Sequence, residues 1–157
     1  MEEKPKKARN FRNYKVWQDA VEYASKVYKI AAEMPWFEKK GLCDQLQRAV
    51  VSISSNIAEG AAKPSDTEFA HFLDTALGSA FEVETQLLIA KNVGYITSVN
   101  ANLNLDDNLN NFNANPNNLN DNPNHNGSVT YEELLEGIDD IEHQLAALIK
   151  TLRQCNS

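Results

Sequence analysis

Two cysteines, Cys43 and Cys155, are all that 157 residues offer toward a covalent framework. They are too few and too far apart for a disulfide scaffold or a metal knuckle, and both suit a reducing compartment. Long apolar runs are also missing. The greasiest stretch, Leu87 to Ala90, is broken at Lys91, far short of a membrane span. The N-terminus reads Met-Glu-Glu-Lys-Pro-Lys-Lys with no apolar run behind it, which argues against a signal peptide. A cytoplasmic protein with no membrane partner is expected.

Catalytic equipment is equally sparse. His71, His125 and His143 have no recognisable serine or cysteine motif beside them, and no glycine-rich stretch forms a phosphate loop. Glu68-x-x-His71 has the spacing of half a di-iron site, but no second copy exists, since His143 directly follows Glu142 and His125 sits in a loop. No catalytic residue, metal ligand or cofactor is assigned, and an enzyme is not expected.

What is present is charge and helical periodicity. The formal charge of -7 is unevenly placed. Lys4, Lys6, Lys7, Arg9, Arg12 and Lys15 face only Glu2 and Glu3, so residues 1–12 read as a basic flexible arm on an acidic body. Such an arm is a candidate contact for RNA or DNA, or simply a solvated tail. The length fits one domain, residues 13–157, which buries roughly two-thirds of the surface its unfolded chain exposes.

Four segments carry apolar residues at helical spacing. The first follows Asn13 as N-cap, runs from Val16 to Met34 and stops at Pro35. A second begins between Glu38 and Leu42 and continues to about Ala61, with Gly60 as a left-handed stop. Ser65-Asp66-Thr67-Glu68 is a capping box that opens a third, which buries Phe69, Phe72, Leu73, Ala76, Leu77, Ala80, Phe81, Leu87 and Leu88 and ends near Asn92 to Gly94. Its small residues Ala76, Gly78, Ser79 and Ala80 permit close helix approach. Thr130-Tyr131-Glu132-Glu133 caps the fourth, which buries Leu134, Leu135, Ile138, Ile141, Leu145, Leu148, Ile149 and Leu152. The expected fold is all-α, an antiparallel up-down four-helix bundle.

Residues 99–129 are different in kind. About half of Asn100 to Asn126 is asparagine, with Pro116 and Pro123 as breakers, so an irregular loop insertion joins helices three and four. Within it, 122–133 follows an EF-hand frame: oxygen donors at Asn122, Asn124, Asn126 and Thr130, glycine at Gly127, and glutamate at Glu133. Asparagines replace the usual carboxylates. A vestigial or very weak calcium loop and an ordinary turn before the Thr130 cap remain the alternatives.

One stretch, Arg48 to Gly60, carries both an apolar face and a polar seam. Arg48, Ser52, Asn56 and Glu59 fall on one side of the helix, with Glu82 of the third helix as a partner for Arg48. Burying one ion without the other is expensive, so Arg48, Ser52, Asn56, Glu59, Gly60 and Glu82 read as a polar lock within the bundle or at a subunit interface.

Several blocks carry a family resemblance: Phe11 with Lys15-Val16-Trp17, Pro35, Glu38, Gly41-Leu42, Gln45 with Arg48-Ala49, Ser52 through Gly60, and Ala76-Leu77-Gly78-Ser79 with Glu82. The chain resembles the four-helix-bundle proteins encoded by intervening sequences of 23S ribosomal RNA genes, also called the S23 ribosomal protein family. The likeness is close over Phe11 to Ile96 and loose over Tyr131 to Leu152. It implies a non-catalytic bundle that assembles into a ring, often a pentamer. A related branch, the accessory protein of diversity-generating retroelements, implies binding to a reverse transcriptase and nucleic acid through a basic surface. The acidic body and the Asn-rich insertion depart from those patterns.

The leading expectation is therefore a non-catalytic homo-oligomeric scaffold of unassigned partner. A nucleic-acid-binding accessory protein is the alternative, and a calcium-responsive bundle is the third.

Overall fold

Local signals set the helix ends. The computed structural model describes residues 9–96 and 129–154. These form α1 Lys15–Glu33, α2 Leu42–Ala61, α3 Asp66–Asn92 and α4 Tyr131–Gln154, with short 3-10 turns at Phe11–Asn13 and Trp36–Glu38. Met34 is extended (φ -67, ψ 155), as a residue before proline should be, and this ends α1. Ser65 Oγ accepts from the Glu68 amide at 3.2 Å and donates to the Glu68 carboxylate at 2.6 Å. At α4, Thr130 Oγ1 accepts from the Glu133 amide at 3.1 Å, while the Glu133 carboxylate takes the Thr130 amide at 2.8 Å. The α4 box closes in full, whereas at α3 the Glu68 carboxylate takes the Ser65 hydroxyl in place of its amide.

The end of α3 is a Schellman closure. Gly94 has φ +82, the Tyr95 amide reaches Ala90 O at 2.8 Å, and the Gly94 amide reaches Lys91 O at 3.0 Å. Two expected ends differ. Asn10 rather than Asn13 supplies the side-chain cap, accepting from the Arg12 amide at 3.2 Å, and it caps the 3-10 turn rather than α1. Gly60 is not a left-handed stop, because it lies inside α2 and is buried.

Around the bundle, α1 packs on α2 and α4, and α3 packs on the same two helices, which sets α1 diagonal to α3 and α2 diagonal to α4. Sequence-adjacent helices run antiparallel. Across α2–α3, Gly60 lies by Phe69 and Phe72 while Ser52 meets Ser79. Across α3–α4, Lys91 Nζ lies 4.1 Å over the Tyr131 ring, and at the far end Arg153 bonds Asp74 at 2.6 Å. The bundle is thus up-down, and all-α among the described residues.

Leu46, Ile53, Ile57, Phe69, Leu73, Leu87, Leu134, Ile138, Ile141 and Leu145 fill the centre and are essentially inaccessible to water. Each such side chain contributes roughly 1.5–3 kcal/mol over leaving it exposed. Tyr23 closes the α1–α4 seam. Its hydroxyl donates to Leu134 O at 2.9 Å, and a Cβ at Gly137 would come within 2.9 Å of its ring, so glycine makes room for it. Burial pushes the Tyr23 hydroxyl far above its usual range, assisted by Glu142 and Glu84. The insertion, apart from Val129, lies outside the described residues.

Candidate functional site

The α2–α3 groove contains the seam read from the sequence, and α3 supplies half of it. Asn56 Nδ2 donates to Ser52 O at 2.8 Å and to Ser52 Oγ at 3.0 Å. Ser52 Oγ shares a 2.8 Å bond with Ser79 Oγ, which in turn reaches Thr75 O at 3.0 Å. Two turns farther along α3, Gln86 Nε2 donates to Glu82 Oε1 at 3.1 Å. This contact fixes the amide's orientation, since a carboxylate only accepts. Gln86 Oε1 is then buried without a hydrogen-bond partner.

Arg48 and Glu82 do not pair. Arg48 Nε bonds Asp44 at 3.0 Å, one turn back on its own helix, with 78% of its side chain exposed. The i, i+4 geometry offers a carboxylate without carrying the guanidinium across the groove, so burial forces no pairing. Glu59 is exposed as well. The inner part of the seam is therefore a hydroxyl and amide network, flanked by solvated charges. Gly60 is part of the packing: a Cβ there would lie 2.6 Å from Phe72 Cβ and 2.7 Å from Phe69 Cδ2.

The basic residues behave differently from a free arm. Arg9 ion-pairs with Asp66, donates to Lys63 O at 2.7 Å and lies 5.2 Å from the Phe69 ring centroid. It is docked on the α2–α3 turn. Lys15 pairs with Asp19 at 2.7 Å, and that contact raises its pKa. Arg12 lies over the Phe11 ring at 4.6 Å. Lys4, Lys6 and Lys7 lie outside the described residues.

The histidine and loop motifs are tied to local structure. Glu68 serves the Ser65 cap, and His71 lies 3.8 Å from Asp74. His143 Nδ1 contacts Asp139 O at 2.8 Å, and this contact raises its pKa. His125, Cys155 and positions 122–128 of the EF-hand frame lie outside the described residues, while its end, Thr130 to Glu133, forms the α4 cap. The two bonds from Thr130 lower the Glu133 pKa. No group of three or more potential metal ligands occurs among the described residues, and no described helix is long and apolar enough to cross a membrane.

What sequence periodicity missed is on the outside of α3. Phe81 and Leu88, expected in the core, are each 49% exposed, while Val83 and Gln86 are buried instead. Ile89 and Val93 are exposed too. Apolar residues thus surround α3 on several sides, in contrast to the one-sided α1, α2 and α4. The signal was available in the spacing: Leu77, Phe81 and Leu88 recur at i, i+4 and i+11, a second stripe beside the core stripe.

Compared with known proteins, residues 12–114 match a family model described as 23S rRNA-intervening sequence protein. The matched range is about two thirds of the chain and includes all of α1, α2 and α3; α4 lies beyond it. No curated protein matches the sequence.

Proposed function

From a chain that belongs to the 23S rRNA-intervening sequence protein family, we infer a non-catalytic, cytoplasmic, homo-oligomeric helical scaffold that works by binding other macromolecules. The observation that carries this reading is α3 itself. A helix with apolar residues on several sides belongs in a packed interior. One bundle covers only the core side of α3 and leaves Phe81, Leu88, Ile89 and Val93 in water. Additional copies of the chain supply the missing cover. A closed ring of five is the assembly that the family resemblance implies.

The seam fits this role. Ser52, Asn56 and Ser79 bond one another and the backbone, so the groove registers α2 against α3. Nucleic-acid binding through the N-terminal arm is the weaker reading, because Arg9 and Lys15 already pair with Asp66 and Asp19.

Native mass spectrometry of the full chain at micromolar concentration tests the scaffold. A discrete multiple of 17.6 kDa is expected. A lone 17.6 kDa species would overturn the reading.

A further inference from the structure

α4 is joined to the bundle differently from the other three helices. The α1–α2 and α2–α3 connections are the short stretches 34–41 and 62–65. Between α3 and α4 the connection runs from 93 to 130, roughly 40 residues where about 2–8 serve most helix pairs. Its two ends are nevertheless close, since Lys91 Nζ lies over the Tyr131 ring. Closing a connection about five times the length of 34–41 lowers the effective concentration of α4 at its seat roughly 10-fold.

The first three helices are tied to one another by contacts that α4 does not make. α2 lies between α1 and α3 and packs on both. Gly60 admits Phe69 and Phe72, Ser52 meets Ser79, and Arg9 clamps the α2–α3 turn through Asp66 and Lys63 O. At the opposite end Tyr95, just past α3, donates to Glu38 of the α1–α2 turn at 3.1 Å, and its ring meets Phe37 edge-on at 6.0 Å between centroids.

α4, by contrast, carries a flaw at its own seat. Glu142 Oε1 is buried without a hydrogen-bond partner. The groups acting on that carboxyl are Glu84 from α3, Asp139 and His143 from α4, and the Tyr23 hydroxyl from α1. Two of its three charged neighbours thus repel it when it ionises, and burial adds to the cost. Lifting α4 returns the carboxylate to water. Gly137, which leaves room for the Tyr23 ring, also weakens the helix from within, because glycine is the poorest helix former apart from proline.

We propose that α4 is a releasable helix, which leaves its seat as a unit while α1, α2 and α3 stay packed and its covalent connection keeps it within reach to return. The released state exposes Leu134, Ile138, Ile141 and Leu145 together with Tyr23 beneath them, all hidden from other macromolecules in the closed bundle. Glu142 sets how often this happens. Docking favours its protonated form, so release increases as pH rises through its raised pKa, and a charged His143 offsets part of this. The device belongs to the single chain and goes beyond the scaffold reading.

Hydrogen exchange read by mass spectrometry on the full chain, corrected for the intrinsic pH dependence of amide exchange, tests the proposal. At pH 7 the amides of central α4 should exchange together, roughly 10-fold or more faster than those of central α2 and α3. Glu142→Gln should slow α4 and leave α2 and α3 unchanged. The gap between α4 and the other two should narrow from pH 7 to pH 5 in the parent and stay constant in that variant. Asp19 and Gln144 meet at 2.8 Å across α1–α4, so Asp19→Cys and Gln144→Cys bridged by a short bis-maleimide, with Cys155→Ser as background, should abolish the gap. Exchange of α4 at the same rate as α2 and α3 in the parent would mean that it opens only with the whole bundle and would overturn the proposal. So would a gap that either Glu142→Gln or the bridge leaves unchanged.

Discussion

Gly60 of α2 lies directly against Phe72 of α3, with space for a hydrogen but none for a methyl group: a Cβ at 60 would come 2.6 Å from Phe72 Cβ. The nearest atoms belong to the base of one side chain and to the Phe69 ring, which is fully buried, so neither can swing away. Gly60→Ala should therefore destabilise the bundle by about 1–3 kcal/mol, the usual range for overpacking. Alanine's better helix propensity, worth about 1 kcal/mol, offsets only part of this. Thermal unfolding of the variant checks it, and an unchanged or raised midpoint would show that the two helices can separate at little cost.

Arg9 is a structural residue in this bundle. Its guanidinium holds Asp66, Lys63 O and the Phe69 face together at the α2–α3 turn, with only 18% of the side chain exposed. Arg9→Ala should cost about 1–3 kcal/mol through the lost charge-assisted hydrogen bonds and ring contact. The same variant should leave any RNA affinity and its salt dependence unchanged, because the lost charge was already paired. A salt titration of RNA binding beside a thermal melt separates the two effects. A fall in affinity at unchanged stability would return Arg9 to the nucleic-acid contacts.

Much of the architecture was legible because its causes are local. Ser65 with Glu68, Thr130 with Glu133, Pro35 behind Met34, and Gly94 behind Asn92 each act within a turn of chain, the first two opening a helix and the last two closing one where the sequence says they should. The misread features depend on distance in space. Phe81 and Leu88 belong to a helix with two apolar stripes, and periodicity alone does not say which stripe the other three helices cover. Arg48 had carboxylates at Asp44 and Glu82, and only the observed fold, which leaves it in water, decides for the nearer one. Of the seam, Ser52 and Asn56 were visible from α2, but Ser79 and Gln86 entered only once the register of α3 was fixed.

Glu142 is a carboxyl group in an uncomfortable place. Burial raises its pKa, nearby Glu84 and Asp139 raise it further, and its Oε1 has no hydrogen-bond partner. A raised pKa in the folded state means that folding favours the protonated form. That contribution is complete below the unfolded value of about 4.3 and is lost as pH rises through the folded one. At neutral pH the ionised group therefore opposes folding. Glu142→Gln should melt higher than the parent at pH 7, and the difference should vanish near pH 4. Equal melting temperatures at pH 7 would show that solvent already relieves the charge.

Gln86 tests the seam and the oligomer reading together. Its Nε2 serves the exposed Glu82, a bond worth little in water, while its Oε1 is buried without a partner. Leaving a buried acceptor unmade costs about 1–3 kcal/mol, more than a typical net gain of about 1 kcal/mol from the bond on the other side. Gln86→Met keeps the length of the side chain and removes both polar atoms, so it should raise stability by about 1 kcal/mol. If the subunit contact lies away from the α2–α3 groove, the variant should also retain the native mass of the parent. A more stable bundle that falls apart into monomers would place the contact on the α2–α3 groove, with a donor from the neighbouring copy completing Gln86.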